Sequence, residues 1–109
     1  VPRNMVQAAG MYNTLLEVND PGIMIECLNA YRLKEKLPSN LLNYRVALGV
    51  PEIIKEGTDL TIVSYGATLR IAHEAAVLLD AMGISCEVID VQTLLPFDIN
   101  SSISIFSFV

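Results

Sequence analysis

The sequence predicts an α/β protein organised around one parallel βαβ unit. Three observations predict it. Leu60-Thr61-Ile62-Val63-Ser64-Tyr65 is a nearly continuous apolar run that stops at Gly66, the pattern of a strand covered on both faces. Ile71, Ala72, Ala75, Leu78, Leu79 and Met82 then recur at the three-and-four spacing that lines one face of a helix, and Gly83 is placed to end it in a left-handed conformation. Cys86-Glu87-Val88-Ile89-Asp90-Val91 is a second strand-like run. A strand, a helix and a strand in so short a span form a βαβ unit, whose crossover is expected to be right-handed and whose strands are expected to be parallel.

The remaining elements follow in chain order. Met5, Ala8, Ala9, Tyr12, Leu15 and Leu16 predict an amphipathic helix. Asn4 is its expected cap, with Gln7 returning the hydrogen bond as in a capping box, and Asn19-Asp20-Pro21-Gly22 ends it. Ile23-Met24-Ile25-Glu26-Cys27-Leu28 reads as a strand buried on both faces. Between Asn29 and Thr58 the character changes: Pro38, Ser39, Asn40, Gly49, Pro51 and Gly57 interrupt the chain, and Arg32, Lys34, Lys36, Arg45 and Lys55 outnumber Glu35, Glu52 and Glu56. This stretch reads as a crossing linker, within which Arg45–Val50 and Pro51–Lys55 form a short strand pair or an extended arm. After Leu94-Leu95-Pro96-Phe97, Asp98 is placed to cap a further helix.

Composition narrows the classes of function. The chain has 109 residues, 52% of them hydrophobic and 17% charged, with a net charge of −5. Its mean hydropathy is +0.47. Roughly 65% of the unfolded surface of such a chain is buried on folding, enough for a core without disulfides or metals. The charged fraction lies below the ~25% usual in soluble domains, which predicts apolar surface covered by something else. Seven Lys and Arg against twelve Asp and Glu, with no Trp and one His, give no electrostatic reason to bind nucleic acid or an anionic membrane. No apolar run reaches the ~18 residues of a membrane span. The start Val1-Pro2-Arg3-Asn4 has neither an initiator Met nor the features of a signal peptide, so a cytoplasmic chain, or one trimmed at its start, is expected. Cys27 and Cys86 lie far apart in apolar runs and read as two buried, reduced thiols.

Few residues carry a chemical signal. Glu26 sits at the carboxyl end of a predicted buried strand, where open α/β sheets place ligands, and a buried acid must be paired, hydrogen-bonded or protonated; it is the candidate catalytic residue. Asp90 holds the equivalent place in the second strand of the βαβ unit. The turn Tyr65-Gly66-Ala67-Thr68 precedes a helix N-terminus that could hold a phosphate, but a single glycine makes no nucleotide fingerprint. His73 reads as a solvated helix residue beside Glu74. Arg32-Leu33-Lys34-Glu35-Lys36, with Tyr31 next to it, concentrates positive charge, and Tyr31, Arg32, Lys34 and Lys36 are the candidate interface residues. No Ser/His/Asp set, metal-ligand cluster or paired acid and base is visible.

The strings VPRNMVQAAGMYNTLL, DPGIMIECLNAYRLKEKLP, LGVPEIIKEGTDLTIVSYGATLRIAHEAAVLL and GISCEVIDVQTLLPFD, in this order and spacing, resemble the β subunit of thiamine-diphosphate-dependent 2-oxo acid dehydrogenases, of the transketolase-like superfamily. The likeness covers about residues 1–100. It implies that 1–44 is the C-terminal part of a pyrimidine-binding domain, 45–58 a linker, and 59–109 the truncated start of a transketolase C-terminal domain, a Rossmann-like parallel sheet. The implied activity of the parent protein is oxidative decarboxylation of pyruvate or a branched-chain 2-oxo acid with reductive acylation of a lipoyl group. In the family, the glutamate that activates the cofactor aminopyrimidine and the active-site histidine lie upstream of the position of Val1, and the diphosphate and its magnesium belong to the α-type domain. The chain itself is therefore expected to supply scaffold and interface and to be inactive alone.

The implied partners are an α-type subunit or domain, a second β-type subunit and a lipoyl acyltransferase core, with no nucleic acid and no membrane. Some members hold potassium near the end of the first helix, which maps onto Leu15, Leu16, Val18 and Asp20, with Val18 in place of a usual acid. Gln92 stands where the family commonly has Arg, which removes a cation beside Asp90. The tail from Asn100 to Val109 alternates like a strand where an amphipathic helix is expected. A transketolase or deoxyxylulose-phosphate synthase relative shares the domain order, and a non-catalytic α/β interaction module docking through Tyr31–Lys36 is the reading from a different class.

Overall fold

The computed structural model describes residues 1–97. Helix α1 spans Met5–Glu17, a 3-10 turn spans Leu28–Arg32, strand β1 spans Glu52–Lys55, β2 spans Leu60–Ser64, helix α2 spans Thr68–Ala81 and β3 spans Cys86–Asp90. The three strands form one sheet in the order β1-β3-β2. β2 and β3 run parallel, with Leu60 opposite Cys86 and Ser64 opposite Asp90, as the βαβ reading requires. β1 pairs antiparallel with β3. Of the two linker segments, Glu52–Lys55 therefore joins the sheet, while Arg45–Val50 does not pair with it as a strand. The expected cap at Asp98 and the alternating tail lie outside the described residues.

The core of the sheet is Leu69 and Ala76 of α2 against Cys86 and Val88 of β3, with Ile54, Ile62, Ala72, Leu79 and Ile84 packed around them. As the central strand, β3 is buried on both faces. β2 is more open than its apolar run predicts, because it is an edge strand: Leu60 and Val63 remain exposed. Helix α2 ends as predicted. Gly83 adopts φ 81°, its N–H donates to Asp80 O (3.0 Å), and Ile84 N–H donates to Leu79 O (3.0 Å), the pair of bonds of a Schellman motif. The buried stripe of α2, however, is rotated from the predicted one. Leu69, Ala72, Ala76 and Leu79 face the sheet, while Ile71, Ala75, Leu78 and Met82 form a second apolar stripe that faces out. A helix with apolar residues on two sides satisfies the three-and-four rule in two registers, and the sheet selects the one with small Ala72 and Ala76 at the close approach.

Helix α1 starts where Asn4 Oδ1 accepts the Gln7 N–H (2.8 Å). The return bond is displaced by one residue from a capping box, since Gln7 Oε1 accepts from the Arg3 N–H (2.6 Å). Gln7, Ala8, Gly10 and Met11 are the buried residues of α1; Tyr12 and Leu16 of the predicted face are exposed. The helix is held on the other side by the loop of residues 41–46. Asn13 Nδ2 donates to Leu41 O and Tyr44 O (both 2.9 Å), and Thr14 Oγ1 donates to Val46 O (2.7 Å).

The predicted strand Ile23–Leu28 does not form. Ile23, Ile25 and Leu28 are exposed, at 91%, 56% and 79%; residues 23–27 have no regular secondary structure, and Leu28 opens the 3-10 turn. A strand exists through its ladder, and this run has no neighbouring strand to bond to. Cys27 is accordingly half-buried rather than buried, whereas Cys86 is fully buried; both thiols are free.

Candidate functional site

Two places gather the polar residues of the chain. The first is built where the end of β3 meets the start of α1. Asp90 is the last residue of β3 and is completely buried. Its Oδ2 accepts from Arg3 Nη1 (2.8 Å) and from Gln7 Nε2 (3.1 Å), and its Oδ1 accepts from the Gln92 N–H (3.0 Å). The same Arg3 nitrogen lies 2.7 Å from Glu52 Oε2 on β1. Burial alone would lower the affinity of the Arg3 guanidinium for its proton, but the bonds and charges of Glu52 and Asp90 outweigh it and raise the pKa, so Arg3 stays charged.

Gln92 closes this cluster. Its backbone has φ 61°, and the Thr93 N–H returns to Val91 O (2.6 Å), a γ-turn of the rare, strained positive-φ kind. The turn aims the side chain inward. Gln92 Nε2 donates to Val50 O (2.9 Å), Oε1 accepts from Gln7 Nε2 (2.5 Å), and the main-chain oxygen accepts from the Val1 nitrogen (2.7 Å). Among the described residues no buried side-chain polar atom lacks a hydrogen-bond partner. With each of its buried polar atoms partnered within the chain, the chemistry of this cluster is that of attachment.

The second place surrounds Glu26. A cavity of about 10 Å³ is lined by Pro2, Asn4, Met5, Ala8, Glu26, Cys27, Ala30 and Tyr31. Glu26 is not the buried strand-end acid that the sequence predicts, because no strand forms there; it is half-buried, and its carboxylate accepts from the Tyr31 hydroxyl. The Glu26 carboxylate also raises the Tyr12 pKa above its ordinary value, chiefly as a hydrogen-bond acceptor for the neutral phenol. The cavity has room for one water at most and none for a thiamine diphosphate. No group of three or more His, Cys, Asp or Glu capable of holding a metal occurs among the described residues.

The other candidates lie apart. Tyr31, Arg32, Lys34 and Lys36 are all exposed. The acid inside that run turns inward instead: Glu35 accepts from the Met5 and Val6 N–H groups (3.3 and 3.4 Å) at the start of α1. Leu15, Leu16, Val18 and Asp20 flank the C-terminal end of α1, where Leu16, Val18 and Asp20 are exposed. His73 is exposed, as expected. Gly66 takes φ 59° at the end of β2, and the first turn of α2 is tied by Thr68 Oγ1 donating to Tyr65 O (2.8 Å). Arg3 and Gln7 are the residues that reading the sequence missed. The signal that could have found them is Asp90 itself, an acid inside an apolar strand that obliges the fold to supply a distant cation.

Residues 49–107 match the family described as transketolase, C-terminal domain, beginning just ahead of β1. The chain is 34% identical over 105 residues to the pyruvate dehydrogenase E1 component subunit beta of Bacillus subtilis (strain 168), covering 95% of this chain and 32% of that protein. It is also 34% identical over 103 residues to the mitochondrial 2-oxoisovalerate dehydrogenase subunit beta of Dictyostelium discoideum, covering 93% of this chain and 27% of that protein. Among solved structures, a split gene transketolase described as an inactive beta4 tetramer aligns at TM-score 0.48 and 40% identity, over 52% of this chain and 19% of that one. The chain thus spans about a third of the length of the curated relatives it matches. With a parallel β2-α2-β3 unit inside the matched region, the chain belongs to the transketolase C-terminal domain family.

Proposed function

We propose that this chain is part of a thiamine-diphosphate-dependent 2-oxo acid dehydrogenase, in which it supplies scaffold and subunit interface and no reacting group. The observation that supports this most is the 34% identity to a pyruvate dehydrogenase β subunit over 95% of the chain, which extends well ahead of the matched family region. On this reading residues 1–44 close a pyrimidine-binding domain, 45–58 connect, and 59–109 open the C-terminal domain. The parent enzyme decarboxylates pyruvate or a branched-chain 2-oxo acid and passes the acyl group to a lipoyl acyltransferase in the cytoplasm. Thiamine diphosphate and magnesium are assigned to other parts of the assembly; the cavity beside Glu26 is far too small for the cofactor. Potassium is assigned to Leu15, Leu16, Val18 and Asp20 at the C-terminal end of α1, held partly by main-chain carbonyls.

The interface part of the reading rests on apolar surface. Ile71, Leu78 and Met82 of α2 are 60%, 69% and 73% exposed, and Ile23, Ile25 and Leu28 extend the open apolar surface elsewhere. These side chains are assigned to an α-type subunit and a second β-type subunit. The test replaces the matched 105-residue segment of the Bacillus subtilis β subunit with this chain's counterpart and assays the assembled enzyme. The chimera is expected to keep decarboxylating pyruvate or 2-oxoisovalerate, while the chain alone with thiamine diphosphate and magnesium shows no turnover. Turnover by the chain alone sinks the scaffold reading, and a folded chimera active only on a transketolase sugar-phosphate donor sinks the substrate class.

A further inference from the structure

We propose that Arg3, Gln7, Asp90 and Gln92 form a polar latch that fixes the N-terminal lobe, residues 1–50, onto the sheet, and that its opening releases this lobe while the βαβ unit stays folded. The apolar core of the sheet takes all of its members from residues 54–88 and none from the N-terminal lobe. Helix α1 instead makes its own arrangement with the loop of residues 41–46, where Gly10 lies so close to Tyr44 and Val46 that an added Cβ would sit 2.7 Å from each.

A set of polar contacts crosses between the two parts. Arg3 reaches Asp90 and Glu52, Gln7 reaches Asp90 and Gln92, Gln92 reaches Val50 O, and the Gly49 N–H donates to Thr93 Oγ1 (2.9 Å). A junction of this kind is all-or-none. Withdrawing Arg3 alone strands the buried Asp90 charge, so a partly open state is disfavoured, whereas a fully open one hydrates Arg3 and Asp90 together. Opening also releases the left-handed strain at Gln92, which only the closed cluster requires. The cluster around Leu69, Ala76, Cys86 and Val88 keeps all of its members when this happens, which separates the two parts in stability.

Hydrogen exchange under native conditions, read by mass spectrometry on the full 109-residue chain, tests the latch. Arg3→Met is expected to speed exchange of the α1 amides roughly ten- to a hundredfold, while β2, α2 and β3 change less than about threefold. Asp90→Asn, a milder change that keeps the shape of the side chain, is expected to act in the same direction if Arg3→Met does not fold. Glu52→Gln removes only the solvent-side partner of Arg3 and is expected to leave α1 within about threefold of the parent. The double variant Arg3→Met with Asp90→Asn is expected to be no faster than Arg3→Met alone, because the stranded charge is gone. Equal acceleration of α1 and the sheet, unchanged α1 exchange, or fully additive effects in the double variant would each overturn the latch.

Discussion

Arg3 Nη1 sits 2.8 Å from Oδ2 of the completely buried Asp90, across 87 residues of sequence. A carboxylate at the end of a central strand is costly unless paired, and the nearest place for a partner along the chain, position 92, holds a neutral glutamine. The charge therefore arrives from the far end of the sequence. Gln92 has a different role. It turns the chain sharply after β3 and bonds Gln7 and Val50, so that the segment bearing Arg3 is drawn over Asp90.

Gln92→Gly is expected to destabilise the chain even though it relieves strain. A left-handed conformation costs an L-residue about 1–2 kcal/mol, which glycine recovers. Against this, two side-chain hydrogen bonds of about 1 kcal/mol each are lost, and stranding the buried Gln7 amide costs about 1–3 kcal/mol more. The urea midpoint should fall by the equivalent of about 1–4 kcal/mol, and a rise would show that strain, not bonding, dominates at Gln92.

Gly57 offers a contrasting case in which space, not backbone angle, demands glycine. A Cβ there would lie 2.1 Å from Cys86 C and 2.2 Å from Glu87 N, main-chain atoms of the central strand that cannot move aside. Gly57→Ala is expected to lose about 1–3 kcal/mol and to disturb the irregular pairing of β1 with β3 near Lys55. Amide exchange at Ile54 and Lys55 reports the second effect, and a variant as stable as the parent would mean that the 56–58 turn can lift off β3.

How much of this was legible follows from how local each cause is. The βαβ unit was legible because Gly83 ends α2 through its own chain neighbours and because the apolar runs of β2 and β3 are short and bounded. The cap at Asn4 was legible for the same reason. Ile23–Leu28 was misread because an apolar run says that burial is wanted, not that a neighbouring strand is present. Both helices carry apolar residues on more than one side, so periodicity left their rotation open, and contacts with Val88 and Val46 on other elements decided it. The Arg3–Asp90 pair lay furthest from view, since nothing near Asp90 in the sequence marks a cation 87 residues away.

The cysteines provide a direct check on the misread strand. Cys86 is fully buried in the sheet core, whereas Cys27 is half-buried in extended chain. Ellman's reagent under native conditions is expected to label one thiol at a rate within about tenfold of free cysteine and the other only on unfolding. Cys27→Ser should abolish the fast phase; if the fast phase persists, Cys86 is reached and the sheet core opens more readily than its burial indicates.

The tyrosines at Glu26 give the chain a pH dependence of known sign. The Glu26 carboxylate favours the neutral Tyr12 phenol, first as a hydrogen-bond acceptor and then as a negative charge, so the folded pKa of Tyr12 lies above its ordinary value of 10.0. A group whose folded pKa is raised contributes stability that is fully present below its unfolded pKa and is lost as pH rises through the folded one. Stability should therefore decline above pH 10.0 in the parent, and this part of the decline should vanish in Tyr12→Phe. Ultraviolet absorbance titration of the phenols should show one tyrosine moving back toward its ordinary value in Glu26→Gln. At the acid end Glu17 behaves oppositely, because the bond from Arg45 holds its carboxyl below the ordinary value of 4.5. Its contribution is present above pH 4.5 and lost as pH falls through the folded value, and Arg45→Gln should remove it. If Glu26→Gln leaves every tyrosine titration in place, Glu26 does not set the Tyr12 pKa, and helix α1 is tied to the segment after it by Glu35 and the loop of residues 41–46 without it.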